Sequence, residues 1–223
     1  MSQHLQRALK ELEASILREC AEVERNLSIA TKSLVERHGD LARNVIEADI
    51  KVDNMEVEIE EECLKILALY QPVAVDLRII VAMLKINNDL ERIGDLAVNI
   101  AERSAYLAEK KPYPDIYDFD SMAAIVSQML KHSVDALVEM DVEQAAEVCR
   151  EDDRVDEMNR EMYKLVQDMV KKDSSDVNVL IHLLSISRHY ERIADHATNI
   201  AEDVIYMIRG NIVRHKTEVY DRD

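Results

Sequence analysis

One stretch of this chain is written twice. Residues 91–102 read ERIGDLAVNIAE and residues 191–202 read ERIADHATNIAE, with nine of the twelve positions identical. Two unrelated amphipathic helices share apolar spacing but seldom share polar positions too. Here Glu91, Arg92, Asp95, Asn99 and Glu102 all recur one hundred residues later. Self-similarity at a fixed period means that one supersecondary unit is used more than once. The register holds upstream, where Asp76, Leu84 and Ile86 match Asp176, Leu184 and Ile186. An earlier stretch agrees at an offset of 103, with Asp49, Asp53 and Met55 matching Asp152, Asp156 and Met158. The three-residue slip falls in a turn between helices.

The repeated unit reads as helical. Three glycines and three prolines in 223 residues, 4% aromatics and no tryptophan suit long helices better than sheets, which need tight turns and aromatic cross-strand pairs. Breakers at Gly39-Asp40, Gln71-Pro72, Lys111-Pro112-Tyr113-Pro114, Asp141, Asp173-Ser174-Ser175 and Gly210 leave six helical segments, near 3–38, 41–70, 74–110, 118–139, 142–171 and 176–209. Gly39 is placed to end one helix and Asp40 to begin the next, and Asp141 with Gln144 has the spacing of a reciprocal capping box. Three helices joined by short connections favour an up-down-up bundle. The expected fold is therefore all-α, two tandem three-helix bundles over residues 1–111 and 112–223. The Pro112-Tyr113-Pro114 linker is too short to let them roam, which predicts two halves packed about a pseudo-twofold axis.

The formal charge of −17 repels phosphate backbones and anionic lipid headgroups, so nucleic-acid binding and peripheral membrane attachment are disfavoured and basic protein surfaces or cations are attracted. No apolar run approaches the roughly 20 residues that span a bilayer, and the opening Met-Ser-Gln-His-Leu-Gln-Arg is unlike a signal peptide, so a cytoplasmic protein is expected. Cys20, Cys63 and Cys149 form no Cys-x-x-Cys pair and read as small core residues in a reducing compartment.

Residues four apart on a helix lie about 40° from each other around its axis, so Glu91, Asp95, Asn99 and Glu102 share one stripe. Leu90, Ile93, Ala97, Ile100 and Ala101 lie on the other side, which places the acidic stripe near solvent. The preceding helix of each unit carries a matching pair, Asp49/Asp53 and Asp152/Asp156, giving four acid-x-x-x-acid motifs. Stacked carboxylates repel by roughly 0.2–0.5 kcal/mol per pair, which hydration or an intervening cation relieves. A solvated acidic face is the ordinary reading of one such motif in an acidic chain. Recurrence at equivalent positions on adjacent helices favours the cation. An all-oxygen donor set suits Mg²⁺, Mn²⁺, Ca²⁺ or iron better than zinc or copper.

His189 and His196 flank the second motif, but Asp89 and Leu96 replace them in the first, and Ile193 denies His196 the Glu-x-x-His spacing of di-iron bundles. Arg92 and Arg192 read as local ion-pair partners, and His132 and His182 as core or boundary residues. No phosphate-binding glycine loop, nucleophile elbow or Cys-His nucleophile pair is recognisable, so an enzyme is not expected.

ERIGDLAVNIAE and ERIADHATNIAE, each preceded by a helix carrying DIKVD or DDRVD, together with the turn YQPVAVDLR, resemble the paired motifs of the PhoU family. The resemblance covers nearly the whole chain. It implies a cytoplasmic adaptor that damps phosphate uptake and starvation signalling through a phosphate ABC transporter ATPase and a sensor histidine kinase, and it implies a homodimer. It also implies metal ions, sometimes in multinuclear clusters, on motifs that map onto Asp49, Asp53, Glu91 and Asp95, and onto Asp152, Asp156, Glu191 and Asp195. Iron, Mn and Mg are the ions that these carboxylates suit best.

Overall fold

A computed structural model describes residues 3–111, 117–173 and 175–210. The expected Pro112-Tyr113-Pro114 linker lies outside the described residues, as does Ser174 of the Asp173-Ser174-Ser175 break. Six helices follow in order: α1 (Gln3–Val35), α2 (Gly39–Tyr70), α3 (Ala74–Ala108), α4 (Phe119–Glu139), α5 (Val142–Lys172) and α6 (Val177–Arg209). No helix among the described residues is long and apolar enough to cross a membrane.

The helix ends show why the halves match. α1 stops at Val35, short of the expected 38, because Arg37 and not Gly39 takes the left-handed conformation, at φ 54°. The His38 N–H then bonds back to the Ser33 carbonyl at 2.9 Å, closing the helix in a Schellman-like turn. Such a backbone costs a non-glycine residue on the order of 1–2 kcal/mol. Arg37 offsets it by donating its guanidinium to the carbonyls of Leu107 and Lys110, at the carbonyl-rich end of α3. The second half repeats the device 103 residues on: Met140 has φ 53°, and Asp141 N–H bonds to the Ala136 carbonyl at 3.0 Å. Asp141 caps α5 by accepting from the N–H groups of Glu143 and Gln144. The reciprocal arm of the expected box is missing, since Gln144 Oε1 is buried without a partner.

That offset aligns the cores position by position. Ile16, Cys20, Val23, Leu27, Ala30 and Leu34 of α1 are buried, and so are Phe119, Ala123, Val126, Leu130, Ser133 and Leu137 of α4. In α2 and α5, Ala42, Val45, Val52, Ile59 and Cys63 answer to Ala145, Val148, Val155, Met162 and Val166. Each half packs its own three helices together, and α3 lies against α6 with α1 against α4, so one apolar core runs through both halves. The α3–α6 seam is stitched by polar pairs related through the repeat. Lys85 Nζ meets Asp203 at 2.8 Å, and at the equivalent positions Arg103 Nε donates to Ser185 Oγ at 2.8 Å. Between the halves, Thr31 of α1 and Tyr190 of α6 share a 2.8 Å hydroxyl bond, and within the first half Ser33 donates to Ser104 at 2.7 Å. Cys20 and Cys63 are buried free thiols and Cys149 is half-buried against the core.

Two candidate metal centres

The four acidic motifs are brought together in pairs. In the first half α2 and α3 approach so closely at Gly94 that a Cβ there would stand 3.2 Å from Asp49 Oδ1 and 3.3 Å from Val52 Cγ1. Glycine at 94 thus lets the Asp49 carboxylate lie against the α3 backbone, one turn from Glu91 and beside Asp95 on the same face. In the second half Ala194 occupies the position of Gly94 and is itself fully buried.

Burial and charge act in the same direction on these groups. Burial comes first, then Asp53, Asp95 and Glu91, in pushing the Asp49 carboxyl up to about 6. Asp152 is pushed up to about 7 by burial, then by Asp195, Asp156, Asp153 and Glu191. Glu91 and Glu191 are raised by burial and then by Asp95 and Asp195 respectively. Asp195 is raised by burial and then by Asp156. Asp153 aside, each of these charges acts from the neighbouring helix or from one turn along the same one, so Asp49, Asp53, Glu91 and Asp95 form one electrostatic group and Asp152, Asp156, Glu191 and Asp195 another.

The stripe does not face solvent uniformly as its sequence suggested. Asp53 is exposed and the Asp95 side chain is 45% exposed, but the Glu91 side chain is 23% exposed, and Asp49 Oδ1 and Glu91 Oε2 are buried without a hydrogen-bond partner. The motif runs along the seam between two helices, so its inner oxygens are dry and its outer ones wet. Local arginines occupy the wet side. Arg92 lies 3.4 Å from both Glu91 and Asp95, the ion pair expected of it, and Arg160 lies 2.8 Å from Asp156. Among the described residues no three Asp, Glu, His or Cys side chains converge on one point as the ligands of a bound ion do. Like charges splay apart, and Glu91, Asp95 and Asp156 turn to Arg92 and Arg160 instead. The donor set nevertheless fits a hard cation: eight carboxylates in two groups, with a buried oxygen of Asp49 in the first group that nothing else satisfies.

The histidines belong elsewhere. His196 Nδ1 lies 2.7 Å from Asp89 Oδ1, which also accepts from Asn199, so it joins α6 to α3. His189 faces Ser185 Oγ at 3.2 Å, and burial followed by Arg103, Arg192 and Arg188 holds its imidazole down at about 4, hence neutral. His182 stacks on Tyr106 with ring centroids 4.0 Å apart, and His132 is half-buried. Two acids that the motifs do not include stand behind the first group. Glu19 of α1 is fully buried, and burial, then Glu56 and Glu91, push it up to about 8. Glu56 of α2 is itself raised by burial, then by Glu60 and Asp53. The sequence carries a sign of Glu19: it interrupts the apolar series Leu12, Ile16, Val23 and Leu27 at a core position.

Comparison with known proteins places this geometry. The PhoU domain model matches residues 16–104 and again residues 119–204, one match to each half. The chain is 39% identical over 208 residues to a phosphate-specific transport system accessory protein PhoU homolog of Aquifex aeolicus, covering 93% of this chain and 94% of that one. It is 34% identical over 208 residues to homolog 1 of Thermotoga maritima, covering 93% and 90%. The crystal structure of PhoU from Pseudomonas aeruginosa superposes with a TM-score of 0.90 at 33% identity, covering 92% of this chain and 99% of that one. The phosphate transport system regulatory protein PhoU from Streptococcus pneumoniae gives 0.85 at 27% identity, covering 94% and 99%. A six-helix architecture made of two copies of one motif-bearing unit, matched along almost its whole length, means that this chain belongs to the PhoU family.

Proposed function

We propose that the chain is a metal-binding regulatory adaptor that lowers phosphate uptake and phosphate-starvation signalling by protein contact, without turnover of its own. The family supports an accessory role in phosphate transport, as the names of the relatives from Aquifex aeolicus and Streptococcus pneumoniae state for those proteins. The observation that carries the metal reading is the pairing, in both halves, of two acid-x-x-x-acid motifs across a helix seam with their carboxyls pushed upward by burial and by one another. A divalent or trivalent ion relieves both costs at once; iron, Mn²⁺ and Mg²⁺ suit the oxygen donors. Bound there, it would tie α2 to α3 and α5 to α6. Asp49, Asp53, Glu91 and Asp95 would hold it in one half, and Asp152, Asp156, Glu191 and Asp195 in the other.

The adaptor would work in the cytoplasm as a homodimer, with its net negative surface meeting basic faces of a phosphate transporter ATPase and of a sensor kinase. The contrasting reading is a helical scaffold whose acidic seams are merely solvated and internally paired, as Arg92 and Arg160 pair theirs. Two measurements decide between them. Recovery of the tagged protein from phosphate-replete cells should bring down a transporter ATPase or kinase. Asp95→Asn with Asp195→Asn should lower its metal content on the order of 10-fold or more, the scale on which ligand-shell changes act. A metal content indifferent to that double substitution contradicts the metal reading, and measurable phosphoester turnover by the purified protein contradicts the adaptor reading.

A further inference from the structure

The second helix, α2, is apolar on two opposite sides. Val45, Val52, Ile59 and Ile66 recur every seven residues and are buried, none more than 2% exposed. Half a turn away Ile50, Val57 and Leu64 recur at the same spacing and are 64%, 52% and 54% exposed. A surface helix ordinarily turns one apolar stripe inward and keeps its far side polar. Single exposed aliphatics are normal on any surface, but three in one register over about 21 Å make a seam of the kind that a further helix packs against.

The other half shows that the fold does not require them. At the repeat offset of 103, Val148, Val155 and Met162 of α5 are buried as Val45, Val52 and Ile59 are, while Asp153, Arg160 and Gln167 stand exposed where α2 has Ile50, Val57 and Leu64. The same helix in the same place is thus solvated in one half and apolar in the other. Charge indicates what would cover it. Glu60 on one side of the stripe and Glu47 and Glu61 on the other are exposed, and none of the three forms an ion pair among the described residues. The basic residues of α2 are already engaged: Arg43 by Asp40, Lys51 by Glu22 of α1 at 2.5 Å, and Lys65 by Glu62 at 2.7 Å. A second copy of this chain would set acidic flank against acidic flank, and an anionic lipid surface is repelled in the same way.

We propose that the outward face of α2 docks an amphipathic helix of a partner protein, one that carries aliphatic side chains at seven-residue spacing with lysine or arginine beside them. The aliphatic seam would supply the burial and Glu47, Glu60 and Glu61 the choice of partner, as flanking charges do between paired helices. The proposal rests on the reading of the chain as an adaptor that acts by protein contact, and it makes the halves inequivalent: the face lies on the first half alone.

Fluorescence anisotropy of the full-length protein with a labelled synthetic helix tests this, the probe carrying a leucine and isoleucine stripe with lysine flanks, or the same stripe with glutamate flanks. Ile50→Asp, Val57→Arg and Leu64→Gln together install the residues that α5 already uses, and they add one acid and one base, so net charge and general attraction to a basic peptide are kept. The lysine-flanked peptide should bind wild type and weaken on the order of 10-fold or more in the triple variant, with helical circular dichroism unchanged. Glu60→Lys with Glu61→Lys leaves the stripe intact and should reverse the preference toward the glutamate-flanked peptide. No binding to wild type, or equal affinity in wild type and triple variant, overturns the face. A wild-type dimer that the triple variant dissolves, read by sedimentation velocity, makes the stripe an interface between copies and also overturns it. Equal recovery of a transporter ATPase or kinase from phosphate-replete cells by wild type and triple variant overturns the face while the adaptor reading stands. Recovery of neither by wild type, with stripe-dependent peptide binding intact, contradicts the adaptor reading instead.

Discussion

Glu19 is the side chain on which the first half spends most stability. A carboxyl buried without a hydrogen bond costs a few kcal/mol, and its neighbours Glu56 and Glu91 add repulsion whenever it ionises. In metal-free protein Glu19→Met should therefore raise stability by about 1–3 kcal/mol, read from urea denaturation at pH 8. The opposite sign would mean that Glu19 has a satisfied role in the empty fold. Asp203 gives the complementary case. Its side chain is 2% exposed and Lys85 stands 2.8 Å away across the α3–α6 seam, so Lys85→Ala should cost about 1–3 kcal/mol in the same assay. The eight motif acids were legible from recurrence alone, because identical polar residues at identical spacing need no structure to be seen. Glu19 and Glu56 were not singled out that way. They have no counterpart at the repeat positions, where Met122 and Asn159 stand, so the signal that found the motifs passed over them.

Helix identity and order followed from punctuation, and the class and number of elements agree with the sequence reading. The ends moved where the chain used unexpected residues. Arg37 adopts the left-handed turn that Gly39 was expected to supply at the α1–α2 junction, and Met140 adopts it at the α4–α5 junction, each stabilised by the same backbone bond. A contact between helices is harder to read than a helix, because it depends on which faces meet. The closeness of α2 and α3 at Gly94 is such a contact, and it makes a prediction. Gly94→Val gains helix propensity but drives branched methyl groups into Asp49 and Val52, whose side chain is almost wholly buried. Overpacking there should cost about 1–3 kcal/mol in urea denaturation and weaken Mn²⁺ binding in the first half. Unchanged stability and affinity would show that the seam has room the geometry denies.

Across both halves the acidic seams set how the molecule responds to pH. The carboxyls of Glu19, Asp49 and Asp152 sit at about 8, 6 and 7 in the fold and near 4 in an unfolded chain. The folded protein therefore holds more protons than the unfolded one, so stability falls as pH rises from about 4 through those folded values. Metal-free protein should lose on the order of 10 °C in Tm between pH 5 and pH 8 in a thermal scan. Saturating Mn²⁺ should abolish or reverse that loss, because the bound ion takes deprotonated ligands. A Tm that climbs with pH in the metal-free protein would contradict the burial argument. The most direct test of the paired carboxylates is an anomalous-difference map from crystals grown with Mn²⁺. The account predicts peaks in both seams, among residues 49, 53, 91 and 95 and among residues 152, 156, 191 and 195. Two seams holding only water, at Mn²⁺ concentrations that saturate ordinary oxygen sites, would contradict it.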